Sequence, residues 1–322
     1  MHESEFGFDF HRLPRMFQPL GSAQIRSCTA DFQVDEILGF EPSGDGEHLF
    51  LQVRKVDQNS LWVAGLLAQL AGIDRRDVGL CGLKDRAAVT TQWFSLHLPG
   101  RTLSAADLAH PDYTIMTAAR HHKKLRRGAH SGNYFNLVLR QVSGDIAALE
   151  RRFNGIGRHG VPNYFAEQRF GHAGGNLHEA QRLIDSGRLR GNRRGTGMYL
   201  SAARAWLFNL VLAKYIANHL AGDEFPDAET GPLWGRGRSS AQGSARQVED
   251  QVLADWGEWR HALEHAGLTQ ERRNLRLLPG NIDFKYLGED QVRLQFELPK
   301  GCFATAVLRE MGELFRHQMA SL

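Results

Sequence analysis

Cysteine is scarce in this chain. Cys28, Cys81 and Cys302 are the full complement among 322 residues, and an odd number so widely spaced argues against a secreted disulfide framework. None belongs to a C-x-x-C pair, so a structural zinc site is not expected, and each reads as a small apolar core residue. Long hydrophobic runs are missing too. No segment approaches the ~18 uninterrupted apolar residues of a membrane-spanning helix. The opening Met1-His2-Glu3-Ser4-Glu5 is acidic and has no apolar leader core. Together these absences predict a cytoplasmic protein with no membrane partner. Several catalytic signatures are also lacking. His121-His122 has no further ligand at metal spacing, and Gly235-Arg236-Gly237-Arg238-Ser239-Ser240 lacks the Lys-Ser/Thr ending of a phosphate loop. No G-x-S-x-G elbow occurs, and no cysteine has a histidine nearby in sequence to activate it.

Neither sign of charge dominates, because 39 basic residues against 36 acidic ones leave +3. The distribution is more telling. Arg120, Lys123, Lys124, Arg126 and Arg127 fall close together beside His121 and His122, and Arg188, Arg190, Arg193 and Arg194 form a second cluster among glycines. Such runs suit an anionic backbone, where each neutralised phosphate releases counterions. A solvated surface is the ordinary alternative.

The length allows two domains. Up to about residue 155 the chain alternates strands and helices. His48 to Arg54 is β-rich, and Asn59 or Ser60 caps a helix with Leu61, Ala64, Leu67 and Ala68 on one face. Val78 to Leu83 reads as a short strand delivering Lys84-Asp85-Arg86 into a turn, with a second strand from about Thr91 to Leu98. Asn133 to Arg140 alternates, with Phe135, Leu137 and Leu139 inward, and Ile146, Leu149 and Phe153 mark an amphipathic helix. From Gly160 to about Leu278 the pattern becomes mostly helical and rich in Gly and Arg. Alternation then returns at Val292, Leu294, Phe296 and Leu298, before a last helix near Phe303. A β-rich body that stops and resumes predicts an inserted domain, 160–278, within a host formed by 1–159 and 279–322.

One carboxylate stands out. In Gly82-Leu83-Lys84-Asp85-Arg86-Ala87-Ala88-Val89-Thr90-Thr91-Gln92, Asp85 sits between two cations at the mouth of a strand. Cationic neighbours favour the charged form of a carboxylate drawn out of water, and such a group can serve as nucleophile or base. By its residues alone the turn could equally be a surface ion pair. The segment, however, resembles the G-x-K-D-x-x-A-x-T-x-Q motif of the TruD family of tRNA pseudouridine synthases at every fixed position. Four more blocks follow in that family's order. They are Asp31-Phe32-Gln33-Val34-Asp35-Glu36 with Gly39-Phe40-Glu41-Pro42, then Gly132-Asn133-Tyr134-Phe135, then Val161 to Gly171, and finally Phe303-Ala304-Thr305 with Arg309-Glu310. Three departures are visible: Ala166 stands where the family often has Gly, Arg26 where Lys is common, and the inserted block is shorter than in some members.

The resemblance implies an α+β fold: a mixed, mainly antiparallel sheet with flanking helices and a cleft, and a mostly helical TRUD domain inserted over it. It implies isomerisation of uridine to pseudouridine, with uridine 13 of certain tRNAs as the expected target and Asp85 as catalytic carboxylate. By motif position, Phe32, Asn133, Phe135 and Phe303 would contact the substrate. Arg26 and Lys84 would support Asp85 or contact phosphate, and the two basic clusters would hold the RNA backbone. The reaction is redox-neutral, so no cofactor or metal is expected, and tRNA is the expected partner of a monomeric enzyme. Two rival classes are a catalytically silent RNA-binding protein of the same fold and a uridine methyltransferase. The second would require a cofactor loop that the sequence does not show.

Overall fold

The structure is a computed structural model that describes residues 7–189, 195–218 and 230–316. Fourteen strands are present among them: β1 Ser22–Ile25, β2 Phe32–Ile37, β3 His48–Val56, β4 Val78–Leu80, β5 Val89–His97, β6 Tyr113–His121, β7 Gly132–Arg140, β8 Val161–Pro162, β9 Thr230–Leu233, β10 Glu271–Asn274, β11 Arg276–Leu277, β12 Gly280–Gly288, β13 Gln291–Pro299 and β14 Glu313–Arg316. The helices are α1 Ser60–Ala71, α2 Ile146–His159, α3 Gly175–Asp185, α4 Thr196–Asn218, α5 Gly243–Val252, α6 Gly257–His265 and α7 Ala304–Arg309. No helix among the described residues is long and apolar enough to cross a membrane.

The chain divides into two compact units. One comprises Leu20–Phe153, Pro279–Gly301 and Glu313–Leu322. It is built on a ten-stranded sheet in the order β12-β13-β7-β2-β5-β3-β6, with β1 paired to β7 and β14, and β4 to β5. Only β1–β14 and β2–β5 are parallel pairs, so the sheet is mixed and mainly antiparallel, as expected. Strict alternation explains β13, whose Val292, Leu294, Phe296 and Leu298 are buried and face their partners on β7 in register. The central strand β5 is buried from Val89 to Leu96, and it carries Thr90, Thr91, Gln92 and Ser95 into the interior beside its apolar residues. Helix α1 is capped by Asn59, whose side chain accepts the Leu61 N–H at 2.7 Å, and it ends at Gly72 in a left-handed conformation. It packs Val63, Ala64, Leu67, Ala68 and Ala71 with Leu51 and Val53 of β3 and Phe94 of β5. Leu61, expected on that face, is exposed. It lies about a quarter turn from the centre of the buried stripe.

The other unit comprises Met1–Pro19, Asn154–Leu278 and Cys302–Gly312. Its centre is α4, where Trp206, Leu207, Phe208, Val211 and Leu212 are fully buried. Around α4 lie α3, α5 and α6 and two small antiparallel ribbons, β8–β11 and β9–β10. The helical reading of 160–278 therefore missed four short strands. The unit also reaches beyond 160–278. Phe10 and Leu13 belong to the same apolar core as Trp206. The Arg309 guanidinium donates to the carbonyls of Leu13 and Pro14, and the Glu310 carboxylate accepts the N–H groups of Met16 and Phe17 at 2.9 and 3.0 Å. These bonds tie the N-terminal segment to α7.

Gly132, which opens β7, has no room for a side chain. A Cβ there would lie 2.5 Å from the Leu298 carbonyl oxygen of β13. Gly132→Ala should destabilise the protein by about 1–3 kcal/mol, the cost of forcing strand backbones apart. Urea unfolding measures it, and an unchanged midpoint would show that β13 yields freely.

Candidate active site

The segment carrying Asp85 leaves β4 and enters β5, and its shape follows from the pairing of β5. On one side β5 pairs with β3 throughout. On the other, β2 covers Val89–Thr91 and β4 covers Phe94–Leu96. Gln92 and Trp93 face the gap between those two partners, and a buried N–H in such a gap must find another acceptor. Glu36 of β2 supplies it: its Oε1 accepts the Trp93 N–H at 3.1 Å. Its Oε2 accepts from Lys84 Nζ at 2.6 Å, with the two side chains 0% and 8% exposed. Gln92 reaches back to the Gly82 carbonyl at 3.2 Å. Its own Oε1 accepts from Ser60 Oγ at 2.6 Å, and Ser60 Oγ accepts the Lys84 N–H at 3.0 Å. Lys55, only 1% exposed, donates to the carbonyls of Gln58 and Asp85 at 2.6 and 3.4 Å. Burial pulls its ammonium down to about 8, with Asp85 opposing the shift and Lys84 adding to it.

These struts present Asp85 at the surface of the loop, its side chain 40% exposed. Oδ1 accepts the Ala87 N–H at 3.1 Å, a turn contact typical of Asp two residues on. Oδ2 meets Arg26 Nη1 at 2.5 Å. Arg26 follows β1 directly and adopts φ 59°, a left-handed conformation uncommon for a residue other than glycine. Its guanidinium lies 3.8 Å from the Phe32 ring centroid. The Phe32 ring in turn meets Phe135 edge-on at 6.4 Å, and Phe135 stacks on Phe296 at 5.4 Å. Asn133 lies on the same strand face as Phe135. Its Oδ1 is buried with no hydrogen-bond partner, so an acceptor there awaits a donor.

The structure thus joins Asp85, Arg26, Phe32 and Phe135 through a chain of contacts, and ties Lys84 to Glu36. Lys84 points to that buried acid and not to Asp85, and its backbone N–H is bonded to Ser60. Phe303 belongs to the helical unit, half-buried at 6.1 Å from Phe165. In the first basic cluster, Arg120 and Lys124 donate to the carbonyls of Arg101 and Arg76. Lys123, Arg126 and Arg127 are exposed. Of the second cluster Arg188 is exposed, while Arg190, Arg193 and Arg194 lie outside the described residues. Glu36, Lys55 and Gln92 have no individual role assigned from the sequence, and Ser60 reads there only as a candidate helix cap. The available signal was polarity on inward positions of strands, as in Phe32-Val34-Glu36 and Val53-Lys55.

Glu36, Cys81 and His130 offer donor atoms within 4.8 Å of one another. Both Glu36 oxygens are committed, however, and the Lys84 ammonium already serves as their cation. The Cys81 thiol is pushed up to about 12 by burial and by Glu36, so it holds its proton. The core reading of the cysteines fits Cys81. Cys302 is half-buried, and Cys28 is exposed because it sits in the turn before β2.

The description "tRNA pseudouridine synthase D (TruD)" belongs to the family model that matches residues 18–192 and 221–311. The chain belongs to the TruD family. It is 41% identical to the tRNA pseudouridine synthase D of Cellvibrio japonicus, over 98% of this chain and 96% of that one. With the corresponding Hydrogenovibrio crunogenus protein it shares 39%, over 97% of each. A crystal structure of a Methanosarcina mazei protein, titled as a TruD-type synthase, superposes with a TM-score of 0.66 over 96% of this chain and 98% of that one at 18% identity. That likeness shows the shared fold.

Breaking the buried Glu36–Lys84 pair should be costly. Glu36→Gln should destabilise the protein by about 3–5 kcal/mol, because Lys84 is left buried without its counter-charge. The double variant Glu36→Met with Lys84→Met should recover much of that loss. Thermal melting of the three proteins checks this, and equal stability of single and double variants would contradict it.

Proposed function

We propose that this chain is a tRNA pseudouridine synthase: an isomerase that converts uridine in tRNA to pseudouridine, with Asp85 as the catalytic carboxylate. The observation that carries the reading is the Asp85 carboxylate itself. It is partly open to solvent, clamped by Arg26 and mounted on a loop anchored by four buried polar groups, within a complete family motif. Pseudouridine formation breaks the bond from ribose C1′ to uracil N1 and forms one from C1′ to C5. Uracil C5 gives up its proton and N1 takes one, so the change is a redox-neutral isomerisation and neither oxidant nor cofactor is needed. Asp85 supplies the group that adds to the nucleoside or takes a ribose proton, and Arg26 holds it in position.

The uridine must leave its stack, which costs roughly a few kcal/mol. Aromatic faces return about 1–3 kcal/mol per stacked base. Phe32, Phe135 and Phe303 are assigned that task by motif position, and the lone acceptor on Asn133 suits the imide N–H of uracil. Uridine 13 of certain tRNAs is the expected target and the cytoplasm the expected site of action. The region 160–278, as the inserted domain, would select the RNA.

Asp85→Asn should cut pseudouridine yield on tRNA to less than about a tenth of the wild-type rate, since each ten-fold step corresponds to ~1.4 kcal/mol of barrier. RNA affinity and melting should hardly change. Base-resolved mapping of pseudouridine in tRNA incubated with each protein measures it. Wild type that binds tRNA without turnover would instead identify a catalytically silent RNA-binding protein.

Replacing Arg126 and Arg127 by Gln should flatten the dependence of log Kd on log salt by roughly 0.7–0.9 for each phosphate that is no longer neutralised. Turnover at saturating tRNA should fall far less, because binding that is uniform along the reaction moves KM and not kcat. An unchanged salt slope would make these residues solvated surface.

A further inference from the structure

The block Val161 to Gly171 is shared with the family, and the proposed chemistry leaves its arginine without a task. Arg169 is half-buried in the helical unit. Its guanidinium lies 5.7 Å from the Phe165 ring centroid and 5.9 Å from that of Phe303. A second guanidinium, Arg273, lies 4.1 Å from the Phe165 centroid, bonded through Nη2 to Asn163 Oδ1 at 2.6 Å. Two cations therefore flank one pair of aromatic rings. Among the described residues, no carboxylate comes within ion-pair distance of Arg169. Its guanidinium makes one hydrogen bond there, to Ser201 Oγ at 3.0 Å, and most of its five donors stay unused.

An anion would complete that arrangement. Partial burial penalises a charged guanidinium, and burial lowers the proton affinity of Arg169 with nothing opposing it. For Arg273, burial does the same, and Arg169 adds to the effect while Cys302 opposes it. Elsewhere in this protein, Arg140, Arg272 and Arg204 have acids, Asp31, Glu249 and Glu271, while Arg309 and Arg120 donate to backbone carbonyls. Arg169 has neither kind of partner among the described residues and lies beside a half-exposed aromatic face. A planar fork of donors next to such a face matches a nucleotide, with phosphate on the fork and base on the ring.

We propose that Arg169, supported by Arg273, forms a phosphate-binding subsite that seats a phosphodiester of the RNA next to the nucleotide stacked on Phe303. The inference rests on the reading of this chain as a tRNA-modifying enzyme. It adds a positioning contact: phosphate bonds fix register and carry no base information. Arg169 would set which nucleotide is presented, without touching the reacting atoms.

The test is a binding cycle scored without turnover. Full-length wild type, Arg169→Gln and Arg169→Lys are titrated with tRNA, and with a series of RNAs each carrying one neutral methylphosphonate linkage around the target uridine. Wild type should lose affinity at one particular linkage, and Arg169→Gln should be indifferent to that linkage alone. Arg169→Gln should also lose about 0.7–0.9 from the salt slope, as for one phosphate contact. Arg169→Lys should retain that slope. Losses that simply add, or a slope unchanged in a folded Gln variant, would overturn the proposal. Loss of the wild-type melting transition in both variants would do so as well, by making Arg169 a packing residue. Failure of the broader reading looks different: wild type would make no pseudouridine in tRNA, whatever the outcome of the binding cycle.

Discussion

The candidate site depends on one break in strand pairing. Where the partner of β5 changes from β2 to β4, the backbone of Trp93 needs an acceptor that no strand provides, and a buried N–H left unpaired is costly. Glu36 accepts that N–H, which places a carboxylate in the interior. A buried carboxylate in turn requires a cation, and Lys84 is that cation. Because Lys84 precedes Asp85, the backbone position of the catalytic candidate is fixed by the needs of the sheet beneath it. Ser60, Gln92 and Lys55 fasten the same loop at Lys84, Gly82 and Asp85. Positioning of the loop thus comes from satisfying buried polar groups, the kind of support a functional side chain requires.

Charge around Asp85 is arranged in layers. Lys55 lies beneath it, Lys84 points away into Glu36, and of these three cations Arg26 alone meets the carboxylate. Arg26 reaches it from a left-handed backbone conformation, a strain of order 1–3 kcal/mol that survives only where surrounding structure over-determines it. β1 provides that constraint, with β14 on one side and β7 on the other. The strained residue aims one guanidinium at both Phe32 and Asp85, so the aromatic face and the carboxylate are set by the same side chain. A lysine at this position would carry the charge without the planar face that lies over Phe32.

Much of this is legible in the sequence. Alternation identifies β7 and β13, the Asn59 cap locates α1, and the resemblance picks out Asp85. Arg26 stands outside the motif around Asp85, yet it makes the closest contact to that carboxylate. Glu36 is hidden because an acid in a strand normally faces water, and its partners Lys84 and Trp93 lie far away in sequence. Lys55 continues the inward row Leu49-Leu51-Val53 and is hidden for the same reason. The association of residues 7–19 and 302–312 with the helical unit leaves no periodic trace, since Phe10 and Leu13 are isolated anchors and the Arg309 and Glu310 bonds run to backbone atoms.

Net charge says little about RNA, and the commitments of individual cations say more. An arginine already paired with a carboxylate must give up that pair to bind phosphate, so Arg140, Arg204 and Arg272 are structural by their partners. Arg120 and Lys124 donate to backbone carbonyls, which leaves them charged but partly anchored. Lys123, Arg126 and Arg127 make no ion pair among the described residues and stand in solvent. A phosphodiester can meet this last group without breaking an existing ion pair, but there screening by salt is strongest. A half-buried cation such as Arg169 is screened less, and its geometry is fixed by the rings beside it. The exposed residues therefore suit loose, salt-sensitive capture of the RNA, whereas the enclosed ones suit its register. The same net charge of +3 can serve both because the acids, and not the bases, decide which cations stay available.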